Sequence, residues 1–220
     1  MSAPTAWEQA YQRFQTPAEE RRKFIRRLRR LGVHHWDRAS RVIEVCSGRG
    51  NGVLAWRQLG FSHVIGVDLS RALVERSACR PHGIVGDARR LPVQASSQDV
   101  AVVQGGLHHL PSMEDVRAAL AEMRRVLKPD GRAIIIEPWP TPFLRGVHLV
   151  AERRLMRRLS NRLDAFAAMT DEERPTYEAW LARPRVILEA VTTQFDTLVI
   201  RRRFGKLVFL GRPRRTALTS

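Results

Sequence analysis

A glycine-rich turn set between a β-branched strand and a helical stretch constrains this chain more than any other feature. Arg41-Val42-Ile43-Glu44-Val45 reads as a buried strand, Gly48-Arg49-Gly50-Asn51-Gly52 follows almost at once, and Val53 to Leu59 is patterned as a helix. Such a turn lets a ligand approach the backbone closely, because no Cβ intrudes at Gly48 or Gly50. The helix behind it aims free N–H groups and partial positive charge at that ligand. The alternation then repeats. His63 to Asp68 precedes a helix from Arg71 to Ala78, a short run covers Gly83 to Asp87, and Asp99 to Gln104 leads to a helical stretch from Met113 to Leu127. Lys128-Pro129-Asp130-Gly131 is a stop-and-turn signal, and Arg132 to Glu137 carries three consecutive isoleucines, as a strand covered on both faces should. This order predicts a parallel sheet with crossover helices.

The pattern changes after that core. Leu144 to Val191 reads as helices in which arginines interleave with Leu155, Met156, Leu159 and Leu163. Thr170 followed by Glu173 is read as a capping box opening a helix through Trp180. Phe195 to Arg202 and Lys206 to Leu210 are strand-like and joined tightly at Gly205, which makes them a hairpin. Ahead of the core, Phe24, Ile25, Leu28 and Leu31 share one face of an arginine-rich helix. With 220 residues the chain has room for one compact domain. It divides into an N-terminal helical segment (1–40), a core (41–138), a helical lid (144–191) and a C-terminal hairpin (195–212), with a frayed end beyond.

The formal charge of +16 invites a reading as a nucleic-acid or lipid-headgroup binder. Yet all but three of the 38 basic residues are arginine, a skew that suggests codon bias more than recruitment of phosphate-binding groups. The arginine-rich helices at Arg21 to Arg30 and Arg153 to Arg162 are read as solvated faces of amphipathic helices. Nucleic acid therefore remains a partner that is not favoured. Trp7, Tyr11 and Phe14 are read either as a lid over the site or as a helix packed on the core. Cys46 and Cys79 offer neither a disulfide framework nor a metal-ligand spacing, so no metal is expected and a reducing, cytoplasmic compartment is. No apolar run is long enough for a membrane span, and the first residues lack the apolar stretch of a signal peptide.

The chemistry is concentrated at strand ends. The glycine order is G-x-G-x-G instead of the G-x-G-x-x-G of dinucleotide binders, which disfavours a nicotinamide-dependent oxidoreductase. Glu44, four residues before Gly48, would repel a pyrophosphate but suits a ligand with a positively charged amine. Asp68 can accept hydrogen bonds from both hydroxyls of a ribose. Asp87 can take the exocyclic amine of an adenine. The three carboxylates outline an adenosine joined to an amine, without phosphate. One of His108 and His109 is a candidate general base for an acceptor hydroxyl; the blander reading, that the pair opens the next helix and lines a pocket, is preferred. Glu137 can face a cationic acceptor or join a proton relay.

With these residues in hand, the sequence resembles the class I S-adenosylmethionine-dependent methyltransferases of the small-molecule "type 11" kind. The segments that match are VIEVCSGRGNG (42–52), HVIGVDLS (63–70), VGDARRLP (85–92), QDVAVVQGGLHHLP (98–111) and RRVLKPDGRAIIIEP (124–138). The resemblance implies an α/β, Rossmann-like, seven-stranded and mostly parallel sheet in the order 3-2-1-4-5-7-6, with helices on both faces and a helical insertion before the last two strands. It implies that Glu44, Gly48 and Gly50 hold the methionine part of S-adenosyl-L-methionine, that Asp68 and the Leu69 backbone hold the ribose, and that Asp87 and Ala88 frame the adenine. Gln104 would lie near the sulfonium, and the product would be S-adenosyl-L-homocysteine. Cys46 stands where the family usually has a further glycine. A small-molecule acceptor beneath the lid, with His109 and Glu137 toward it and His108 as the candidate base, is the function expected. A nucleic-acid methyltransferase and a non-catalytic S-adenosylmethionine-binding protein are the alternatives.

Overall fold

The computed structural model describes residues 6–77, 79–153 and 159–214. Seven strands, β1 (Arg41–Val45), β2 (His63–Asp68), β3 (Gly83–Val85), β4 (Gln98–Gln104), β5 (Leu127–Pro138), β6 (Phe195–Arg203) and β7 (Lys206–Pro213), form one sheet in the order β3-β2-β1-β4-β5-β7-β6. Neighbours run parallel from β3 through to β5, and β7 is antiparallel to both β5 and β6. This is the Rossmann-like topology that the strand pattern and the resemblance lead one to expect.

Side-chain alternation splits the core into two layers. Ile43, Val45, Ala101, Val103, Ile135 and Phe209 meet the helices α5 (Met113–Val126) and α9 (Pro184–Gln194) on one face. Val42, Val100, Val102, Ile134 and Ile136 meet α2 (Pro17–Arg30) and α3 (Asn51–Gln58) on the other. Phe24 and Leu28 of α2 are fully buried there, and the arginines of that helix lie on its remaining faces. Deleting a side chain of this kind costs about 2–5 kcal/mol.

Several local expectations need correction. The capping box belongs to Thr16, whose hydroxyl accepts the Glu19 N–H while Glu19 returns a bond to the Thr16 N–H, so it opens α2. Thr170 instead sits inside α7 (Asn161–Glu172), where its hydroxyl bonds back to the carbonyls of Phe166 and Ala167. The helix it was to open, α8 (Arg174–Ala182), begins just after Glu173. The helix after β2, α4 (Arg71–Arg76), ends at Arg76, and Ala78 lies outside the described residues. The Lys128–Gly131 turn does not precede β5 but bulges from it: Leu127 pairs with Gln98 and Arg132 with Val100.

α6 (Pro142–Ala151), α7 and α8 follow β5, and α9 buries Ile187 and Val191 in the core layer shared with the sheet and is a covering helix. Leu155 and Met156, and the end of the chain beyond residue 214, lie outside the described residues. Among the described residues no helix is long and apolar enough to cross a membrane.

Candidate active site

The glycine turn places three left-handed residues in five: Cys46 (φ 56°), Gly48 (φ 51°) and Gly50 (φ 75°). Only glycine adopts this region freely, so Cys46 carries the strain that a glycine there would avoid. The two neighbouring glycines do different work. A β-carbon on Gly48 would meet nothing within 4 Å, so this is the face open to a ligand. A β-carbon on Gly50 would overlap Cys79 and Ser77, so Gly50 serves packing between the turn and the loop after α4.

Glu44 leaves β1 beneath this turn and is buried. Its carboxylate rests on Gly52, where any β-carbon would overlap it, and accepts the Val53 N–H. Its Oε2 is buried and has no hydrogen-bond partner among the described residues. Burial, and next the negative charge of Glu20, push its pKa well above the usual carboxylate range. Glu20 comes from α2 and accepts a hydrogen bond from Asn51 Nδ2 at 2.7 Å; burial raises it too, against the bonds from Tyr11 and Asn51. Two carboxylates in one partly dry place, one with an orphaned oxygen, call for a cation between them.

Asp68 ends β2. Its Oδ2 accepts the Gly48 N–H at 2.7 Å and its Oδ1 the Ser70 N–H at 2.9 Å, which ties the glycine turn to the start of α4 and leaves one lone-pair direction on each oxygen. Leu69 beside it is exposed. Asp87 is placed differently from expectation. The Arg89 guanidinium grips both of its oxygens, at 3.0, 3.1 and 2.7 Å, and the Arg89 N–H adds a bond at 2.8 Å. That pairing holds the Asp87 carboxyl below its ordinary range and fills the lone pairs an adenine amine would use. Ala88 is buried next to it. Gln104 ends β4 and accepts a bond from Arg27 of α2 at 3.3 Å.

Glu137, expected to face an acceptor, is fully buried and spent on the loop after β4. Its Oε1 accepts the N–H groups of Gly106 and Leu107, both at 2.9 Å, and its Oε2 lies 2.7 Å from His108 Nδ1. His108 sits in a 3-10 turn (Leu107–His109) that precedes α5, which Ser112 caps. Burial would lower the His108 pKa, but the carboxylates of Glu137 and Glu173 raise it above the ordinary value. The Glu137 carboxylate takes the Nδ1 side of the ring, so His108 is anchored to the loop through that pairing. His109 is more exposed, and burial together with His108 lowers its pKa.

The sequence reading named Tyr11 only as a lid or packing residue, and gave no site role to Glu20, Arg27, Asn51, Gly52, Glu173 and Lys206. Gly52 alone had a signal, as the third glycine of the turn; the others reach the site from elements whose packing no local pattern reveals. Lys206, at the start of β7, is pushed down to about 8 by burial and then by the charge of Arg27.

The strand order is the one expected of the class I S-adenosylmethionine-dependent methyltransferases. Residues 43–135 match the family model described as a methyltransferase domain. Over 106 residues the chain is 32% identical to a demethylmenaquinone methyltransferase of Staphylococcus haemolyticus, an alignment that spans 44% of this chain and 43% of that protein. The chain thus spans less than half the length of that curated relative. A protein from Pyrococcus horikoshii superimposes with a TM-score of 0.69 at 17% identity, over 96% of this chain and all of that one. A SAM-dependent methyltransferase from Aquifex aeolicus superimposes with a TM-score of 0.57 at 14% identity, over 93% of each chain. At these identities the solved structures speak to fold.

S-adenosylmethionine is the cofactor of this class, and the residues present fit it. The orphaned Glu44 oxygen, the open face at Gly48 and the free lone pairs of Asp68 match its ammonium, its carboxylate and its ribose.

Proposed function

We propose that this chain transfers the methyl group of S-adenosylmethionine to a small organic acceptor held beneath the roof of α6, α7 and α8. The observation that carries the reading is the buried Glu44 carboxylate with an unpartnered oxygen beside the glycine turn. Glu44, helped by the charge of Glu20, binds the ammonium. The open face at Gly48, where no β-carbon intrudes, leaves room for the cofactor carboxylate, and Asp68 takes the ribose hydroxyls. The adenine lies between the exposed Leu69 and the Ala88 backbone, with Asp87 contributing only as far as Arg89 releases it. The sulfonium supplies an electrophilic methyl group. The chain aligns the acceptor with it and excludes water, which is most of what an in-line displacement requires.

The acceptor side is built from the N-terminal helices and the roof. α1 (Ala6–Phe14) packs against α7 through Phe14 and Phe166, with ring centroids 5.9 Å apart, and through Arg13 and Asp164 at 3.2 Å. Phe166, His148 and Tyr177 form an aromatic series beneath this junction, which favours an aromatic or apolar small molecule over a polymer. The demethylmenaquinone relative carries an acceptor of that general kind in its name. His108 orients the loop after β4 and is not assigned the base. Both cysteines are free thiols, consistent with a reducing, cytoplasmic setting.

The test is incubation with S-adenosylmethionine labelled in its methyl group, offered a panel of phenols, quinols and hydroxylated aromatics alongside total RNA. Label in the small organic fraction supports the reading. Label in RNA alone assigns the arginine faces to nucleic-acid docking and overturns it.

A further inference from the structure

A second group of chemistry-bearing side chains lies where the roof meets the exit of β4, and methyl transfer makes no use of it. We propose that His108, His109 and Glu173 form a site for a borderline divalent cation of the Zn2+ type, which clasps the roof to the β4 loop.

The three residues each offer one ligand atom, and these atoms lie within 4.8 Å of one another. His108 Nε2 stands 3.6 Å from one Glu173 carboxylate oxygen and His109 Nδ1 stands 3.6 Å from the other. Those separations are too long for hydrogen bonds between the partners. They suit groups that converge on a common centre, with only small movements needed for coordination at about 2.0–2.2 Å.

What lies behind the cluster supports the same reading. The other nitrogen of His108 is held by Glu137 at 2.7 Å, and Glu137 is itself fixed by the N–H groups of Gly106 and Leu107. A carboxylate that locks one nitrogen of a histidine leaves the other aimed at the centre, which is how metal-bound histidines are oriented. The His108 side chain is 8% exposed, Glu173 13% and His109 39%, so a cation would enter from the His109 side and find a closed floor. Two imidazole nitrogens and one carboxylate oxygen select Zn2+ or its neighbours over Mg2+ or Ca2+, with water completing a tetrahedral site. Glu173 lies at the junction of α7 and α8, far along the chain from the histidines, so the bound ion would hold the roof in place.

The test uses the full chain, stripped with a chelator and titrated with Zn2+ by calorimetry, with Co2+ as an absorbing probe. The proposal expects one equivalent of Zn2+, a tetrahedral Co2+ spectrum, and a rise in Tm on Zn2+ addition. His109→Ala and Glu173→Gln, which leave the buried His108–Glu137 pair intact, should each weaken binding by about tenfold or more. The adjacent pair His34 and His35, whose rings lie 3.9 Å apart, is the control, and a double alanine variant there should bind Zn2+ normally. No saturable Zn2+ binding, binding unchanged in both site variants, or binding lost only in the His34/His35 variant would overturn the proposal. A normal thermal shift with S-adenosylhomocysteine verifies that each variant is folded and keeps the outcome separate from that of the methyl-transfer reading.

Discussion

The carboxylate of Glu44 rests against Gly52 so closely that no β-carbon fits between them. Strand β1 delivers the acid and the first turn of α3 leaves the space for it, so the third glycine of the turn is a partner of the acid and not merely a hinge. Gly52→Ala should displace the carboxylate, lower affinity for S-adenosylhomocysteine by tenfold or more, and lower Tm. Calorimetry on the folded variant checks this. Unchanged affinity would show that the carboxylate position does not matter.

Glu44 also gives the protein a pH signature. Its pKa is raised by burial and by Glu20, so its folded-state value lies above its unfolded one. A group of that kind contributes stability that is complete below the unfolded pKa and is lost as pH rises through the folded pKa. The ligand-free protein should therefore lose Tm as pH climbs out of the ordinary carboxylate range, and Glu44→Gln should blunt that loss. An ammonium placed beside the ionised carboxylate reverses the cost, so the Tm gain on adding S-adenosylhomocysteine should grow over the same interval. Thermal scans across pH, with and without the nucleoside, decide it; a gain independent of pH contradicts the assignment.

Asp68 and Asp87 occupy equivalent strand ends but should behave unequally. Asp68 keeps lone pairs free, whereas Arg89 occupies those of Asp87. Asp68→Ala should cost on the order of 1.5–3 kcal/mol of cofactor binding, the range for hydrogen bonds to a charged group. Asp87→Ala should cost clearly less, because an exposed ion pair is worth little and its loss frees Arg89 to stay with Asp115. Equal losses in titrations of the two variants would return Asp87 to the adenine.

The buried pair of His108 and Glu137 should matter to stability more than to cofactor binding. Removing either partner leaves the other charged and unpaired inside the protein, at a cost of about 3–5 kcal/mol. His108→Leu and Glu137→Leu should each lower the urea midpoint, and the double variant should lose less than the two losses together. Strictly additive losses would mean that the two groups do not act as a pair.

Much of this architecture was legible before the structure because its signals are local. Strands β1, β2, β4 and β5 announce themselves by runs of Val and Ile that lead into a glycine turn (β1), Asp68, Gln104 or Glu137-Pro138, and Gly205 marks the hairpin by its position between two strand-like runs. Glu44 and Asp68 were legible because a strand end fixes where a carboxylate points. What failed depended on the choice of partner. Thr16-x-x-Glu19 and Thr170-x-x-Glu173 have the same spacing, but Pro17 stops any helix from entering Thr16, whereas Ala165 to Met169 carries a helix straight through Thr170. Asp87 could not be known to belong to Arg89, nor Glu137 to His108. Those pairings depend on how loops fold over the sheet, where several basic or acidic partners compete at short range.

The most direct measurement is a calorimetric titration of S-adenosylhomocysteine into the wild-type chain and into Glu44→Gln. Saturable binding of one equivalent by the wild type, weakened about tenfold or more when the carboxylate becomes an amide, is the predicted result. Equal affinity in the two proteins, or no binding by the wild type, would contradict the account of how this site holds its cofactor.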